Sequence, residues 1–236
     1  MIVTARDQRL RLVTQNDHAH FAAELLSLWR RDGMEEHPRR QELLQAVREH
    51  DGGWRGIDSA PMVHAETGRP HDFLDMPQAA RREIWTLCTS DFSDKPYAHL
   101  LILEHALNLH REASDDGVWP ALLAHWRTER TKLLDDGILG VEELGDDYKF
   151  LDLTDLASLM ACDVWRGPIE RHGYRLERTD AGLSIDPFPL AGTTTFEIAC
   201  RWIPDRRYSS DSDLALELAT ARWEKIVLRV LPVEEL

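Results

Sequence analysis

The sequence predicts an α+β protein, in which a mainly α-helical bundle carries a small antiparallel sheet built from an N-terminal hairpin and C-terminal strands. Three observations support this class. Apolar residues recur at helical spacing through the middle of the chain, short β-prone runs stand near its start, and apolar and polar residues alternate after Gly167. The 236 residues are therefore expected to form a single domain, with a helical core over 14–165 and β-containing extensions at 1–13 and 167–236.

The first elements are a hairpin and a helix. Residues 2–4 and 10–13 are short β-prone runs separated by a polar turn, which is typical of a hairpin. Thr14 precedes Asp17 by three residues, a spacing that caps the start of many helices, and apolar residues recur from there to about Arg31.

A second helix is expected from Pro38 to residues 50–53 (His-Asp-Gly-Gly), because proline begins helices readily and glycine ends them. Residues 54–77 show no period and are dense in Gly, Pro and Asp, which indicates a long irregular loop. Its Trp54 and Phe73 favour a loop that is ordered and packed on the core.

The rest of the chain continues with helices and then strands. Further helices are expected at 77–90, 95–113, 119–136, 147–165 and 211–223. Strands are expected at 183–185, 194–203 and 225–231.

The charge balance limits the range of partners. Lys and Arg number 28 and Asp and Glu number 42, which gives a formal net charge of −14. This excess of negative charge argues against general nucleic-acid binding and against docking on an anionic membrane surface. A small anionic molecule is the expected ligand, because a local group of positive charges can bind an anion even in a protein with a negative net charge. A homodimer is left open.

No targeting or membrane-spanning segment is visible. The sequence has neither a signal-peptide h-region nor the roughly 20 apolar residues that span a bilayer, so a cytoplasmic location is expected. Its three cysteines, Cys88, Cys162 and Cys200, form no CxxC pair, so neither a disulfide framework nor a Cys-rich zinc site is indicated.

Histidines and aspartates form the informative pattern. His18 lies on the apolar stripe of the first helix, and the pair His50-Asp51 ends the second helix at its negative dipole end, where a cation is stabilised. The two glycines after the pair are expected to leave room for a ligand. His105 and Asp155 lie on apolar helix faces further along the chain.

A bound metal ion would explain why carboxylates lie on apolar helix faces. A buried ionised carboxylate costs on the order of several kcal/mol unless it is paired or bound to a metal. Together, His18, His50, Asp51 and Asp155 offer imidazole and carboxylate ligands suited to a divalent zinc, manganese, iron or nickel ion. The open alternatives are a hydrogen-bonded core histidine, and an aspartate that pairs with an arginine or caps a helix.

The order of these residues resembles the HD-domain superfamily of metal-dependent phosphohydrolases. In that superfamily a His on one helix, a His-Asp pair ending another and a distal Asp on a later helix bind the metal. The resemblance covers residues 14–165 and implies that His18, His50, Asp51 and Asp155 are the ligands. Stretches such as QNDHAHFAAEL, EHDGGWRGIDSAP and LDLTDLASLMAC also resemble a bacterial family of uncharacterised proteins, which implies no reaction.

The HD resemblance implies a hydrolase that acts on a small phosphoester through a metal-activated water. Asp51 and His105 are then candidates for proton transfer. Arg55 and Arg69 flank the loop after the His-Asp pair. They are candidates for binding the negative charge that develops on the phosphoryl group during the reaction. The substrate pocket is expected to include three residues of the same loop, Trp54, Asp58 and Phe73.

Two other functions remain open on the sequence. HD-like proteins with two irons activate oxygen, and His71 and His105 stand where the additional ligands would come. A non-catalytic ligand-binding or interaction module of the same fold is the third alternative. Two irons per chain would indicate the oxygenase, whereas tight metal binding without turnover would indicate the module.

Overall fold

The structure is a computed structural model that describes residues 1–90, 92, 94–111 and 119–235. Its helices and strands are, in chain order, β1 (Ile2–Arg6), β2 (Arg9–Val13), α1 (Gln15–Ser27), α2 (Arg40–Glu49), α3 (Arg55–Ser59), α4 (Gln78–Ser90), α5 (Pro96–Leu109), α6 (Trp119–Asp135), α7 (Val141–Ala161), β3 (Ile169–Arg171), β4 (Tyr174–Arg178), β5 (Leu183–Asp186), β6 (Thr194–Pro204), α8 (Asp211–Thr220) and β7 (Trp223–Leu231). Short 3-10 turns lie at Gly52–Trp54 and Val233–Glu235.

Seven strands of the described residues form one curled, mixed sheet in the order β1-β2-β6-β7-β5-β4-β3. Neighbouring strands pair antiparallel except β5 and β7, which are parallel, with Leu183 opposite Val230. The predicted N-terminal hairpin is confirmed, with Ile2 opposite Val13, and strands from both ends of the chain contribute to the sheet.

The structure corrects the predicted fold class. The protein has a mixed α/β fold around this half-barrel-like sheet, and it is not a mainly helical bundle with a small antiparallel sheet. The sequence pattern does not reveal β3 and β4, because they are three and five residues long and rich in charge. It does not reveal the parallel pairing either, because β7 returns between β5 and β6, a non-local contact that no turn motif predicts.

The predicted helices between β2 and β3 are present, but their bounds differ. α1 ends at Ser27 rather than near Arg31, and α2 begins at Arg40 rather than at Pro38. α7 begins at Val141 rather than at residue 147 and ends at Ala161. The segment predicted as an irregular loop contains the short helix α3. The helix expected over 95–113 ends at Leu109, and the last two residues of that prediction lie outside the described residues.

α7 is the central helix of the protein. Most of its side chains from Leu144 to Ala161 are buried. α1, α2 and α5 contact it, and so do β4 and β5 of the sheet. A polar residue in the middle of this helix, such as Asp155, must therefore find its partners inside the protein.

The sheet packs on the helices through its inner face. Phe21 of α1 meets Phe196 of β6 edge to face, with ring centroids 5.2 Å apart. The opposite face is covered at one end by α8, whose Leu214 and Leu218 pack with Leu10 of β2. This arrangement fixes α1 and α7 against each other, and both helices contribute to the cluster of histidines and aspartates.

The segment between α3 and α4 is tied to the first strand. Asp72 Oδ2 accepts a hydrogen bond from the Val3 N–H at 2.8 Å, and the Phe73 N–H donates to the carbonyl oxygen of Met1 at 2.9 Å. These bonds hold Phe73 and its neighbours against the body of the protein, as the predicted packing of this loop requires.

None of the described helices is long and apolar enough to cross a membrane. The three cysteines are buried, and no disulfide joins any of them within the described residues.

Candidate metal centre

Five polar side chains that are far apart in sequence meet inside the protein. They come from α1, from the end of α2, from α5 and from α7, and they are His18, His50, Asp51, His105 and Asp155. His18 Nε2 lies 2.9 Å from Asp51 Oδ2, and His50 Nε2 lies 3.3 Å from Asp155 Oδ1. His105 Nε2 lies 3.8 Å from Asp155 Oδ2. The structure thus brings together the four residues that the sequence nominated as metal ligands, and His105 joins them.

The end of α2 places the His-Asp pair. The His50 Nδ1–H donates to the carbonyl oxygen of Val47 at 2.7 Å, which fixes the ring against the last turn of the helix. A Cβ on Gly53 would lie 2.2 Å from the carbonyl oxygen of Ile84 and 2.7 Å from the amide nitrogen of Cys88. This glycine therefore lets the chain pack closely on α4, and it does not leave room for a ligand as the sequence suggested.

The hydrogen bond to Val47 also sets the tautomer of His50. With the proton on Nδ1, a neutral ring carries a lone pair on Nε2. This Nε2 atom is buried and has no hydrogen-bond partner within the described part of the chain. It faces Asp155 Oδ1 at 3.3 Å and Asp51 Oδ2 at 3.7 Å. The lone pair is thus directed at two carboxylate oxygens.

His18 is held in the same way by a serine of α7. The Ser158 hydroxyl donates to the backbone carbonyl oxygen of Asp155 at 2.6 Å, so Ser158 Oγ accepts from the His18 Nδ1–H at 2.7 Å. The Nε2 atom of a neutral His18 then carries a lone pair. It faces Asp51 Oδ2 at 2.9 Å, and two acceptors at that distance repel unless positive charge lies between them.

The electrostatics of the cluster favour a positive charge at its centre. Burial alone would lower the pKa of His50, but the charges of Asp51 and Asp155 outweigh it and raise that pKa to about 9. Burial would likewise raise the pKa values of Asp51 and Asp155, yet the contacts with His50 and His18 hold both below the usual range. A protonated imidazole therefore balances the carboxylates when no other cation is bound.

The cluster can hold a divalent metal ion. Ligands about 2.0–2.2 Å from a zinc ion lie roughly 3–3.5 Å from one another, and the ligand atoms in the closest pairs here are similarly spaced. Histidines that donate Nδ1–H to an oxygen and offer Nε2 are typical of metal sites. Two overlapping groups each bring three donor atoms within 4.8 Å of one another, namely His18, His50 and Asp51, and His50, His105 and Asp155.

His105 stands at the edge of the cluster. Its ring lies between those of Trp85 and Tyr148, with centroid distances of 5.9 and 6.1 Å. Its Nδ1 atom lies 3.4 Å from the Tyr148 hydroxyl. Burial lowers the pKa of His105, so the ring is neutral near pH 7. A neutral imidazole in this position can exchange a proton with a bound molecule or serve as a further ligand.

A cavity of about 240 Å³ opens at the cluster. His18, Asp51, His105 and Asp155 all line it, so a molecule in the cavity can reach the candidate ligands. The other lining residues are Gln15, Trp54, Phe73, Leu74, Arg81, Trp85, Leu109, His110, Leu159 and Trp165. The cavity is small for a ligand site, and most of its wall is apolar.

The nominated pocket residues divide into two groups. Trp54 and Phe73 line the cavity. Asp58 does not, because its Oδ1 lies 2.7 Å from the amino group of Met1 and its Oδ2 accepts from the Gln15 N–H at 2.6 Å. Asp58 therefore ties the start of the chain to α1.

The two nominated arginines also have partners elsewhere. Arg55 pairs with Glu49 and donates to the side chain of Asn16 at 3.2 Å. Arg69 pairs with Asp205 at 2.7 Å. Both side chains are exposed, and the structure brings neither of them to the cavity.

The sequence prediction missed residues that do reach the cavity or the cluster. Arg81 and Trp85 lie four residues apart on α4 and share one face of it, a signal that the apolar stripe of this helix could have revealed. Ser158 lies one turn after Asp155 on α7. A hydroxyl among the buried apolar residues of this helix is also a signal that the sequence contains. The exposed rim residue Trp165 follows α7 and gives no periodic signal.

His71 lies in a separate group. Its Nδ1 is 2.8 Å from Asp75 Oδ1, and its ring lies 4.8 Å from that of His64. It does not line the cavity, and the structure does not bring it to the five-residue cluster.

Comparisons with known proteins give a family and no activity. Residues 1–205 match the model of a family described as “Protein of unknown function (DUF3891)”, and this match does not link the chain to the HD superfamily. Searches of curated proteins and of solved structures found no match. Because the matched region includes all five residues of the cluster and most of the chain, this protein belongs to the DUF3891 family.

Proposed function

We propose that this protein is a metal-dependent hydrolase that acts on a small phosphoester. One observation carries the proposal: the Nε2 atoms of His18 and His50 face two buried carboxylates, at distances of 2.9 and 3.3 Å, beside a cavity. A divalent ion among these four groups would replace the imidazole proton as the positive charge that balances the two carboxylates.

Four residues would hold the ion, namely His18, His50, Asp51 and Asp155. Their order along the chain matches the HD pattern of a His, a His-Asp pair and a distal Asp, which supports the same class of chemistry. A divalent ion in such a site polarises a phosphoryl oxygen and lowers the pKa of a bound water.

The residues around the cavity have separate tasks in this proposal. The guanidinium of Arg81 binds the anionic group of the substrate. The neutral ring of His105, next to the Tyr148 hydroxyl, accepts a proton from the attacking water and passes it to the leaving oxygen. Hydrolysis forms a bond between the water oxygen and phosphorus, breaks the ester P–O bond and delivers one water proton to the leaving oxygen. Arg55 and Arg69 have no part, because they pair elsewhere.

Elemental analysis of protein purified without a histidine tag tests the proposal. We expect one or two divalent ions per chain, hydrolysis of at least one phosphoester in a broad panel, and loss of both in the His50→Ala variant. His125→Ala is the matched control, because this histidine is exposed and lies outside the cluster. Wild-type protein without bound metal, or equal metal in His50→Ala and wild type, would overturn the assignment.

A di-iron oxygenase is the second candidate, and one observation favours it. The two oxygens of Asp155 face different histidines, Oδ1 facing His50 and Oδ2 facing His105, so Asp155 and these histidines would supply ligands for a second ion. Two irons per chain, with visible absorption, would select this function. One bound ion without turnover of any substrate would instead indicate a binding module.

A further inference from the structure

The wall of the cavity is dominated by aromatic and aliphatic side chains. Beyond the four cluster residues that line it, seven of the ten lining residues are apolar, and they are Trp54, Phe73, Leu74, Trp85, Leu109, Leu159 and Trp165. Three of these are tryptophans, which offer large flat surfaces for a planar group. A substrate that is polar all round would leave these surfaces without a suitable partner.

The rim of the cavity is apolar as well. Leu74, Leu109 and Trp165 line the cavity and are 58%, 54% and 40% exposed. Single exposed apolar residues are common on proteins, but three of them around one opening form a patch, and such patches mark binding sites. A bound molecule with an apolar part would cover them.

Arg81 is the one lysine or arginine that lines the cavity within the described part of the chain. Its Nη2 donates to the carbonyl oxygens of Leu74 and Phe73 at 2.8 and 3.2 Å, and it has no ion-pair partner among the described residues. The two carbonyls fix the guanidinium in place and leave its other N–H groups for a ligand.

This count of cations limits the charge of the substrate. Asp51 and Asp155 already offset the charge of a divalent ion, so Arg81 supplies the one remaining positive charge, which suits at most a single phosphoryl group. A di- or triphosphate would bring further negative charge next to Asp51 and Asp155 and into a protein whose net charge is −14. Polyanionic substrates therefore fit this cavity poorly.

We infer that the substrate is a phosphomonoester of a flat apolar alcohol, such as a phenol or naphthol, and not a nucleoside polyphosphate or a sugar phosphate. This inference rests on the proposed function. The phosphoryl group lies between the metal ligands and Arg81, and the apolar group lies among Trp54, Trp85 and Trp165. Hydrolysis consumes one water and gives inorganic phosphate and the free apolar alcohol.

The first measurement compares kcat/KM of the metal-loaded protein for 1-naphthyl phosphate, glycerol 3-phosphate and adenosine 5′-triphosphate. We expect the naphthyl ester to be preferred by at least about tenfold over each of the others. Equal or better turnover of the triphosphate or of glycerol phosphate would overturn the inference and leave the proposed function standing.

The second measurement is independent of turnover. Calorimetry compares binding of 1-naphthylmethylphosphonate and methylphosphonate, which carry a P–C bond in place of the ester bond that the proposed reaction breaks. We expect at least about tenfold tighter binding of the naphthyl compound, and loss of that preference in Trp85→Leu. Trp223→Leu is the control, because this exposed tryptophan lies on β7 and does not line the cavity.

The two measurements separate the two claims. Tight binding of the naphthyl compound without hydrolysis of any ester supports the apolar occupant and overturns the hydrolase. Equal binding of the two phosphonates overturns the inference, whatever the protein hydrolyses. Arg81→Gln should weaken binding of both phosphonates by about tenfold, whereas Arg81→Lys should weaken it less, because it keeps the charge.

Discussion

Ser158 decides which nitrogen of His18 faces the carboxylates. Its hydroxyl proton is committed to the carbonyl of Asp155, so its oxygen accepts from His18 Nδ1 and leaves Nε2 directed at Asp51. Residues that orient metal ligands in this way commonly change metal affinity when they are replaced.

We therefore expect Ser158→Ala to weaken metal binding by roughly 10–100-fold while the fold persists. Competition against a coloured chelator measures the affinity. Thr154→Ala is the matched control, because this buried hydroxyl lies one turn earlier on α7 and bonds only to carbonyls of its own helix. Equal losses in both variants would show that the effect comes from packing.

Asp155 and Asp152 allow a second comparison on the same helix. Asp155 faces His50 and His105, whereas Asp152 pairs with Arg171 and His172 outside the cluster. We expect Asp155→Asn to lose most of its bound metal, because a charged ligand is removed, and Asp152→Asn to keep it. Elemental analysis and far-UV circular dichroism of both variants check this, and retention of metal by Asp155→Asn would contradict the ligand assignment.

His110 gives the protein a pH dependence that does not involve the metal ligands. Its ring stacks on Trp119 at 4.4 Å, and its Nδ1–H donates to the carbonyl oxygen of Ala106 at 2.9 Å. Burial lowers its pKa to about 4, whereas an unfolded histidine titrates near 6.5. Between these values the unfolded chain binds more protons than the folded one.

The free energy of unfolding should therefore fall as the pH drops from 6.5 to 4, by up to about 3 kcal/mol from this residue. Urea denaturation at intervals across that range measures it. In His110→Phe, which keeps an aromatic ring against Trp119, this part of the pH dependence should be absent. An unchanged profile in that variant would assign the effect to other groups.

At the scale of elements, the turn after α2 depends on how closely the chain approaches α4. Gly53 has no space for a side chain, because the carbonyl of Ile84 occupies the place of a Cβ. Gly56, three residues later in α3, faces open space. Replacing these two glycines by alanine should therefore have opposite effects on the free energy of unfolding.

We expect Gly53→Ala to lower the free energy of unfolding by at least about 2 kcal/mol and to disturb the His-Asp pair. Gly56→Ala should be neutral or stabilise the protein by about 0.5–1 kcal/mol, because alanine favours a helix. Urea denaturation of both variants, with metal content as a second measurement, checks the contrast. A harmless Gly53→Ala would contradict the close packing.

The elements also show what a sequence can predict. The end of α2 and the positions of His18 and Asp155 follow from local periodicity and glycine, and these signals sufficed to nominate four residues that the structure brings together. The start of α7 at Val141 was not readable, because it has no Ser, Thr, Asp or Asn cap. Instead the Gly140 N–H donates to Glu143 Oε2 at 2.8 Å.

The residues that prediction could not supply depend on tertiary contacts. Arg55 and Arg69 are near the His-Asp pair in sequence, but their side chains turn to Glu49 and Asp205. Arg81 reaches the cavity from α4, whose position relative to α2 is set by packing and not by any local pattern.

At the scale of the whole molecule, the candidate ligands join three helices that are distant in sequence. An ion bound by His18, His50, Asp51 and Asp155 would hold α1, the end of α2 and α7 together. Binding to the folded state alone adds about 3 kcal/mol of stability at a free metal concentration 100 times the Kd.

We therefore expect a chelator to lower the melting temperature of the wild-type protein, and the added metal to restore it. His50→Ala should show neither change. Differential scanning calorimetry measures both, and equal shifts in the variant and the wild type would place the binding elsewhere.

The sheet is the feature that local patterns describe least. Its outer strands pair with their sequence neighbours, but β7 lies between β6, the strand before it, and β5, with which it pairs parallel. Such an insertion can be recognised only when the three-dimensional contacts are known. For this reason the fold class predicted from the sequence was wrong although many of its strands were correctly placed.

The late return of β7 has a consequence for synthesis on the ribosome. Until β7 emerges, the strand groups β1-β2-β6 and β5-β4-β3 have no strand to join them. The edges of β6 and β5 that will pair with β7 are then without hydrogen-bond partners. Open edges of this kind attract other chains. While β7 is still inside the ribosome and β6 has left it, the nascent chain would thus expose two unpaired strand edges at once.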